Sequence, residues 1–96
     1  VLLGDANVQD QFRVRKFQID SNRHMNNVEY VRYAMETLPE GTAFKELRVE
    51  YKKPARYDDE VLIAVIQAEG KHQVVMRDQE GALYAVVEFT LEEDAR

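Results

Sequence analysis

The chain has no cysteine, which removes disulfides, thiolate metal sites and a cysteine nucleophile together. It has no long apolar run either. The longest near-apolar stretch is Val61 to Ile66, far short of the roughly 20 residues that a membrane-spanning helix needs. It lacks an excess of positive charge: 13 Lys and Arg stand against 18 Asp and Glu, a formal net charge of -5. Neutralising nucleic-acid phosphates takes a clustered basic face, so a nucleic-acid partner is not expected. The same balance offers no attraction to an anionic membrane surface. Val1-Leu2-Leu3 is too short for a signal-peptide core and has no basic residue ahead of it, and a cytoplasmic location is the expectation.

What is present describes one ordinary globular domain: 96 residues, 45% hydrophobic and 32% charged, with a modest core. Val1 to Gln11 is mixed and polar and reads as a leader or linker, leaving 12–96 as a single domain. Phe12 to Ile19 has strand content, but its apolar parity switches between Val14 and Phe17, which a bulge or sharp twist near Arg15-Lys16 would reconcile. Val28, Val31, Met35 and Leu38 recur at three- and four-residue spacing and predict a helix over 27–38 with those side chains inward. Asn26 and Glu29 suit a capping box, Arg32 and Glu36 an ion pair one turn apart, and Pro39 a stop. Beyond Ala43 the pattern is strand-like. Leu47, Val49 and Tyr51 alternate with charges; Val61 to Ile66 suggests a central strand; and Asp78-Gln79-Glu80-Gly81 joins two more strands as a hairpin turn. The fold class is α+β, one helix on an antiparallel sheet. A single helix covers one sheet face, so another copy or domain is expected to close the other face or an edge.

The chemistry concentrates in Asp20-Ser-Asn22-Arg-His24-Met-Asn26-Asn27. A carboxylate closing a strand can act as nucleophile or as general base on water. His24 exchanges protons near neutral pH, and Asn22 offers both a donor and an acceptor. The amides of Asn27 and Val28 at the start of the helix can face a developing oxyanion. Hydrolysis of an ester or thioester is the matching reaction. The competing explanation is that Asp, Ser and Asn merely build a polar loop and cap the helix. A metal site from Asp20, His24 and His72 matches no established ligand spacing. His72, Tyr30 and Tyr33 read as packing residues, and Lys52, Lys53 and Arg56 as a polar face able to meet a phosphate or an acidic carrier.

Val14 to Pro39, with its Asp-x-Asn-x-His-x-Asn-Asn-x-x-Tyr core, resembles the acyl-ACP thioesterases of plants and bacteria, specifically the second, catalytic hotdog domain of those double-hotdog enzymes. Val49 to Val61, reading Val-Glu-Tyr-Lys-Lys-Pro-Ala-Arg-Tyr-Asp-Asp-Glu-Val, resembles the strand–turn–strand after the hotdog helix there and in single-hotdog acyl-CoA thioesterases of the 4-hydroxybenzoyl-CoA type. The resemblance implies a hotdog fold, a five-stranded antiparallel sheet curved around one helix and paired with a second hotdog domain or a homodimer partner. It implies Asp20 as the attacking or water-activating carboxylate, Asn22 as its orienter and His24 as proton-transfer partner. Asn26, Asn27 and Val28 would contact substrate. An acyl group on acyl carrier protein would be the substrate, with no metal or organic cofactor. Plant members carry a glutamate and a cysteine where this sequence has Pro54 and Ala55, so any activity must run through Asp20. An acyl-CoA thioesterase built of single hotdogs, and a non-catalytic acyl-binding or assembly module, are the alternatives.

Overall fold

The computed structural model describes residues 8–92. Residues 1–7, most of the expected leader, and 93–96 lie outside them. The elements are β1 (Val8–Arg13), a 3-10 turn (Lys16–Gln18), α1 (Asn27–Glu36), β2 (Phe44–Tyr51), β3 (Glu60–Ala68), β4 (Lys71–Arg77) and β5 (Leu83–Leu91). All strand pairs are antiparallel in the order β1-β3-β4-β5-β2. β1 and β2 are therefore the edges. The one-helix, five-strand architecture expected from the sequence is the one observed.

The first strand differs from its sequence reading. β1 begins at Val8, inside the stretch read as a leader, and ends at Arg13. The parity switch after Val14 is resolved by the 3-10 turn rather than by a bulge; the register shift in β1 falls between Val8 and Asp10. Phe12 pairs with Val61 and stacks on Tyr33 of α1, ring centroids 3.6 Å apart. Phe17, freed from the strand, is 80% exposed.

The helix turns a different face inward from the one its apolar spacing suggests. Tyr30 and Ala34 are buried, whereas Val28 and Met35 are 52% and 47% exposed. Aromatic bulk decides this: Tyr30 fills the core, and a long amphipathic side chain buries more area than a valine. Glu29 does not complete a capping box; it is buried and accepts from Gln18 Nε2 at 3.2 Å, and Arg32 pairs with Glu29 instead of Glu36. Thr37 closes the helix through its amide and hydroxyl, both bonded to the Ala34 carbonyl.

The core lies between α1 and one face of the sheet, where Val61, Ile63, Val74, Met76, Val87 and Phe89 meet Tyr30 and Ala34. Full burial of each such large side chain contributes about 1.5–3 kcal/mol. The central strand is β4, not the Val61–Ile66 run: β3 lies second from the edge, and its Leu62 and Ile66 are only half-buried. On the face away from α1, Gln73 Nε2 donates to Glu88 at 3.0 Å and Lys71 to Thr90. At the β2 edge Leu47 and Tyr51 are 39% and 45% exposed. Among the described residues, no helix is long and apolar enough to cross a membrane.

Candidate active site

After β1 the 3-10 turn carries the chain beneath the start of α1, and Ile19 and Met25 form an isolated antiparallel bridge. Asp20 to His24 thus becomes a tight hairpin tip. Asp20 N–H donates to the His24 carbonyl at 2.9 Å, and Arg23 N–H to the Asp20 carbonyl at 3.0 Å. The Asp20 side chain braces the tip: Oδ1 accepts from Asn22 N–H at 2.9 Å and from His24 N–H at 3.3 Å. Arg23 closes the turn in the left-handed region, φ 66°. This is a three-residue hairpin loop whose last position favours glycine.

The tip is tethered from several sides. Met25 N–H donates to the Ala55 carbonyl at 2.7 Å, and Asn26 N–H to the Gln18 carbonyl at 2.7 Å. Ala55 N–H in turn donates to the Tyr30 hydroxyl at 3.0 Å. Gln18, buried, holds the underside through Glu29 and through Tyr33 Oη at 2.8 Å. Buried polar groups with partners of this kind fix one geometry, because leaving any of them unpaired costs about 1–3 kcal/mol.

Asp20, Asn22, His24 and Asn27 converge on one pocket of about 420 Å³, completed by Tyr30 and the Tyr51–Pro54 segment. Asp20 Oδ2 takes part in no hydrogen bond among the described residues, nor does the Asn27 N–H at the helix start. Asn26 and Val28, expected to touch substrate, do not line the pocket. The Asn26 side chain is spent capping the helix, accepting from Val28 N–H at 3.1 Å, so neither that amide nor that carbonyl is open to a ligand. Asn27 alone of the three faces the cavity.

The sequence pattern marks Tyr30 as a packing position and Tyr51 as one more strand residue, yet both form pocket wall. Their rings meet edge-on at 5.4 Å, and Tyr51 Oη donates to the Asn27 carbonyl at 3.4 Å. Burial pushes both phenols upward; for Tyr30 the neighbouring Tyr51, Asp59 and Asp20 add to it, against the lowering effect of the Ala55 bond. Both hydroxyls therefore stay protonated across the neutral range. The signal for Tyr51 is its place in the Leu47-Val49-Tyr51 alternation, which puts it on the helix side of the sheet. Lys52 and Lys53 reach the rim already paired, with Glu50 at 2.8 Å and Asp78 at 2.6 Å. His72 lies away from the pocket, buried beneath the end of α1 with Nε2 2.9 Å from Thr37 Oγ1. Burial lowers its pKa. Among the described residues no three His, Cys, Asp or Glu side chains gather as a metal site.

A carboxylate with one oxygen unused, an imidazole, a carboxamide and a helix N-terminus around one cavity suit water attack on a carbonyl. The sequence profile of the acyl-ACP thioesterase C-terminal domain matches residues 4–93. The chain belongs to that family. Among solved structures, an acyl-ACP thioesterase from Bacteroides thetaiotaomicron superposes with a TM-score of 0.82 at 14% identity, over 90% of this chain and 37% of its own. The 12:0-ACP thioesterase from Umbellularia californica gives 0.76 at 17% identity, over 98% and 38%. YbaW, a probable thioesterase from Escherichia coli, gives 0.75 at 20% identity, over 88% and 80%. The shared fold is the hotdog, and the chain spans little more than a third of the two ACP thioesterases. A comparison with curated proteins found no match by sequence.

Proposed function

We propose that this domain hydrolyses acyl-ACP thioesters to free fatty acid and carrier, with Asp20 as the reacting carboxylate. Family membership supports the reaction class. The observation that carries the assignment to Asp20 is its divided carboxylate: Oδ1 is held by the turn, Oδ2 has no hydrogen-bond partner among the described residues, and the residue lines the same pocket as Asn27 at the start of α1. Asp20 takes a proton from the water that attacks the thioester carbonyl, or attacks that carbonyl itself to form a mixed anhydride that water then hydrolyses; in both routes the C–S bond breaks and the thiolate leaves as a thiol, with His24 the carrier of the water-derived proton. Asn22 orients the reacting groups. The Asn27 N–H, at the positive end of α1, faces the charge that develops on the carbonyl oxygen.

The free β2 edge, with Leu47 and Tyr51 exposed along it, and the exposed Val28 and Met35 of α1 support pairing with a second hotdog, either another domain or another copy. Hydrolysis of acyl-ACP and acyl-CoA, measured side by side on wild type and Asp20→Ala, tests the reading. Loss of acyl-ACP turnover in the variant is expected. Full turnover by Asp20→Ala would end the mechanism, a preference for acyl-CoA would reassign the carrier, and turnover of neither would leave an acyl-binding or assembly module. Light scattering tests pairing with another copy, which a stable monomer would refute.

A further inference from the structure

Phe17 is the most exposed large hydrophobic residue described, at 80%, and Tyr57 stands beside it at 53%. With Arg15 and Lys16 they line one open cleft of about 400 Å³. The two cations are unlike those at the rim of the active-site pocket. Lys52 and Lys53 are bound to Glu50 and Asp78, whereas neither Arg15 nor Lys16 forms an ion pair among the described residues. An aromatic pair flanked by free cations, on a chain whose net charge is -5, is the composition of an interface anchor rather than of a solvated turn. The fold has an inward-facing use for the neighbouring residue, Gln18, and none for Phe17.

We infer that the Arg15–Phe17 turn and Tyr57 form the docking surface for an acidic carrier protein, the Phe17 ring entering an apolar spot ringed by carboxylates. This rests on the acyl-ACP reading above and names where that partner sits. Charge complementarity selects the occupant. A second copy meeting this patch symmetrically would set Arg15 and Lys16 against themselves. A second hotdog has its own apolar strip at β2, the sheet edge opposite the β1 edge from which this turn departs. The location also fits delivery. Phe17 precedes Asp20 by three residues, and the Gln18 carbonyl holds Asn26 N–H at the far end of the site loop, so a partner seated here grips the segment that leads into Asp20.

The test is kcat/KM for acyl-ACP and acyl-CoA with Phe17→Ala and with Arg15→Glu/Lys16→Glu, alongside titration of unacylated carrier protein. An anchor aromatic predicts a loss of about tenfold for acyl-ACP, carried by KM and steeper at low salt, with acyl-CoA turnover unchanged. Equal losses on both substrates, or no loss on either, would overturn the surface. So would a wild-type oligomer that Phe17→Ala dissolves, since the patch would then join copies of the chain. If the protein hydrolyses no thioester, carrier titration still decides: binding by wild type that Phe17→Ala abolishes keeps the docking site while the hydrolase reading fails, and no binding by wild type removes the site.

Discussion

The same hairpin turn occurs twice in this small domain, once at Asp20–His24 and once at Asp78–Ala82. In each, the aspartate N–H donates to the carbonyl four residues on, and its own carbonyl accepts from the amide three residues on. In each, Oδ1 accepts two backbone amides, from Asn22 and His24 or from Glu80 and Ala82. In each, the fourth residue is left-handed, Arg23 at φ 66° and Gly81 at φ 97°. The second oxygen separates them. Asp78 Oδ2 is bound by Lys53 Nζ at 2.6 Å, whereas Asp20 Oδ2 has no hydrogen-bond partner among the described residues, and Asp20 lines the pocket. An aspartate holding a turn and an aspartate available to a substrate are thus not exclusive alternatives. One oxygen can build the loop while the other stays open, and the neighbouring cation decides whether it does.

The largest effect should come from exchanging carboxylate for carboxamide at both turns. A carboxamide keeps one oxygen to accept the two backbone amides, so Asp20→Asn should lower thioester turnover by about 10²–10⁴ while the thermal midpoint hardly moves. Asp78→Asn should leave turnover intact and cost only some stability. Equal turnover in both variants would erase the distinction between the turns. Next in size is Tyr30→Phe, which strips the acceptor from the Ala55 N–H and slackens the tether of the Asp20 turn. A stability loss of about 1–3 kcal/mol by denaturant unfolding is expected, and an unchanged midpoint would show that the latch is dispensable.

Backbone strain offers a smaller and reciprocal test. Arg23→Gly should stabilise by about 1 kcal/mol, because an L side chain is disfavoured in the left-handed region, and Gly81→Ala should destabilise for the same reason. Same-sign shifts in thermal melts would contradict the shared geometry. The smallest effect concerns pH. The Lys53 hydrogen bond, with help from the Ala82 and Glu80 amides, holds the Asp78 carboxyl below its usual range. A carboxyl depressed in the folded state adds stability that is complete above its unfolded pKa, about 3.9, and is lost as pH falls through the folded value. Acid unfolding of Asp78→Asn should therefore be shallower than that of wild type below about pH 4. Coincident acid limbs would show that the Lys53 bond does not outlast solvent screening.

One of these turns is readable in the sequence and the other is not. Asp78-Gln79-Glu80-Gly81 announces itself because glycine fills the left-handed position between two alternating strands. Asp20-Ser-Asn-Arg-His hides the same path because Arg23 stands where glycine would be the signal. Helix α1 is legible in extent but not in orientation. Its aliphatic spacing points to Val28 and Met35, while Tyr30, Ala34 and the partly buried Tyr33 are what meet the sheet. Which aromatic ring finds a matching hollow depends on the opposing surface, and periodicity carries no information about that surface. Val28, expected at the site, does not line the pocket, and its amide is taken by the Asn26 side chain, a cap that the sequence already suggested at that position.

By itself the sequence determined the α+β class, the helix ahead of Pro39 and the run of strands after Ala43, the absence of thiol chemistry, and the short segment where Asp20, Asn22 and His24 cluster. These follow from local rules of periodicity, capping and residue chemistry, which act within a few positions along the chain. Only the tertiary structure decided that Tyr51 and Lys53 border the same cavity, that Lys53 is neutralised from a hairpin 25 residues away, and that Phe17 is left outside. Those outcomes depend on the β1-β3-β4-β5-β2 order and on which groups compete for each hydrogen bond and each hollow, contests between distant residues that no local pattern records.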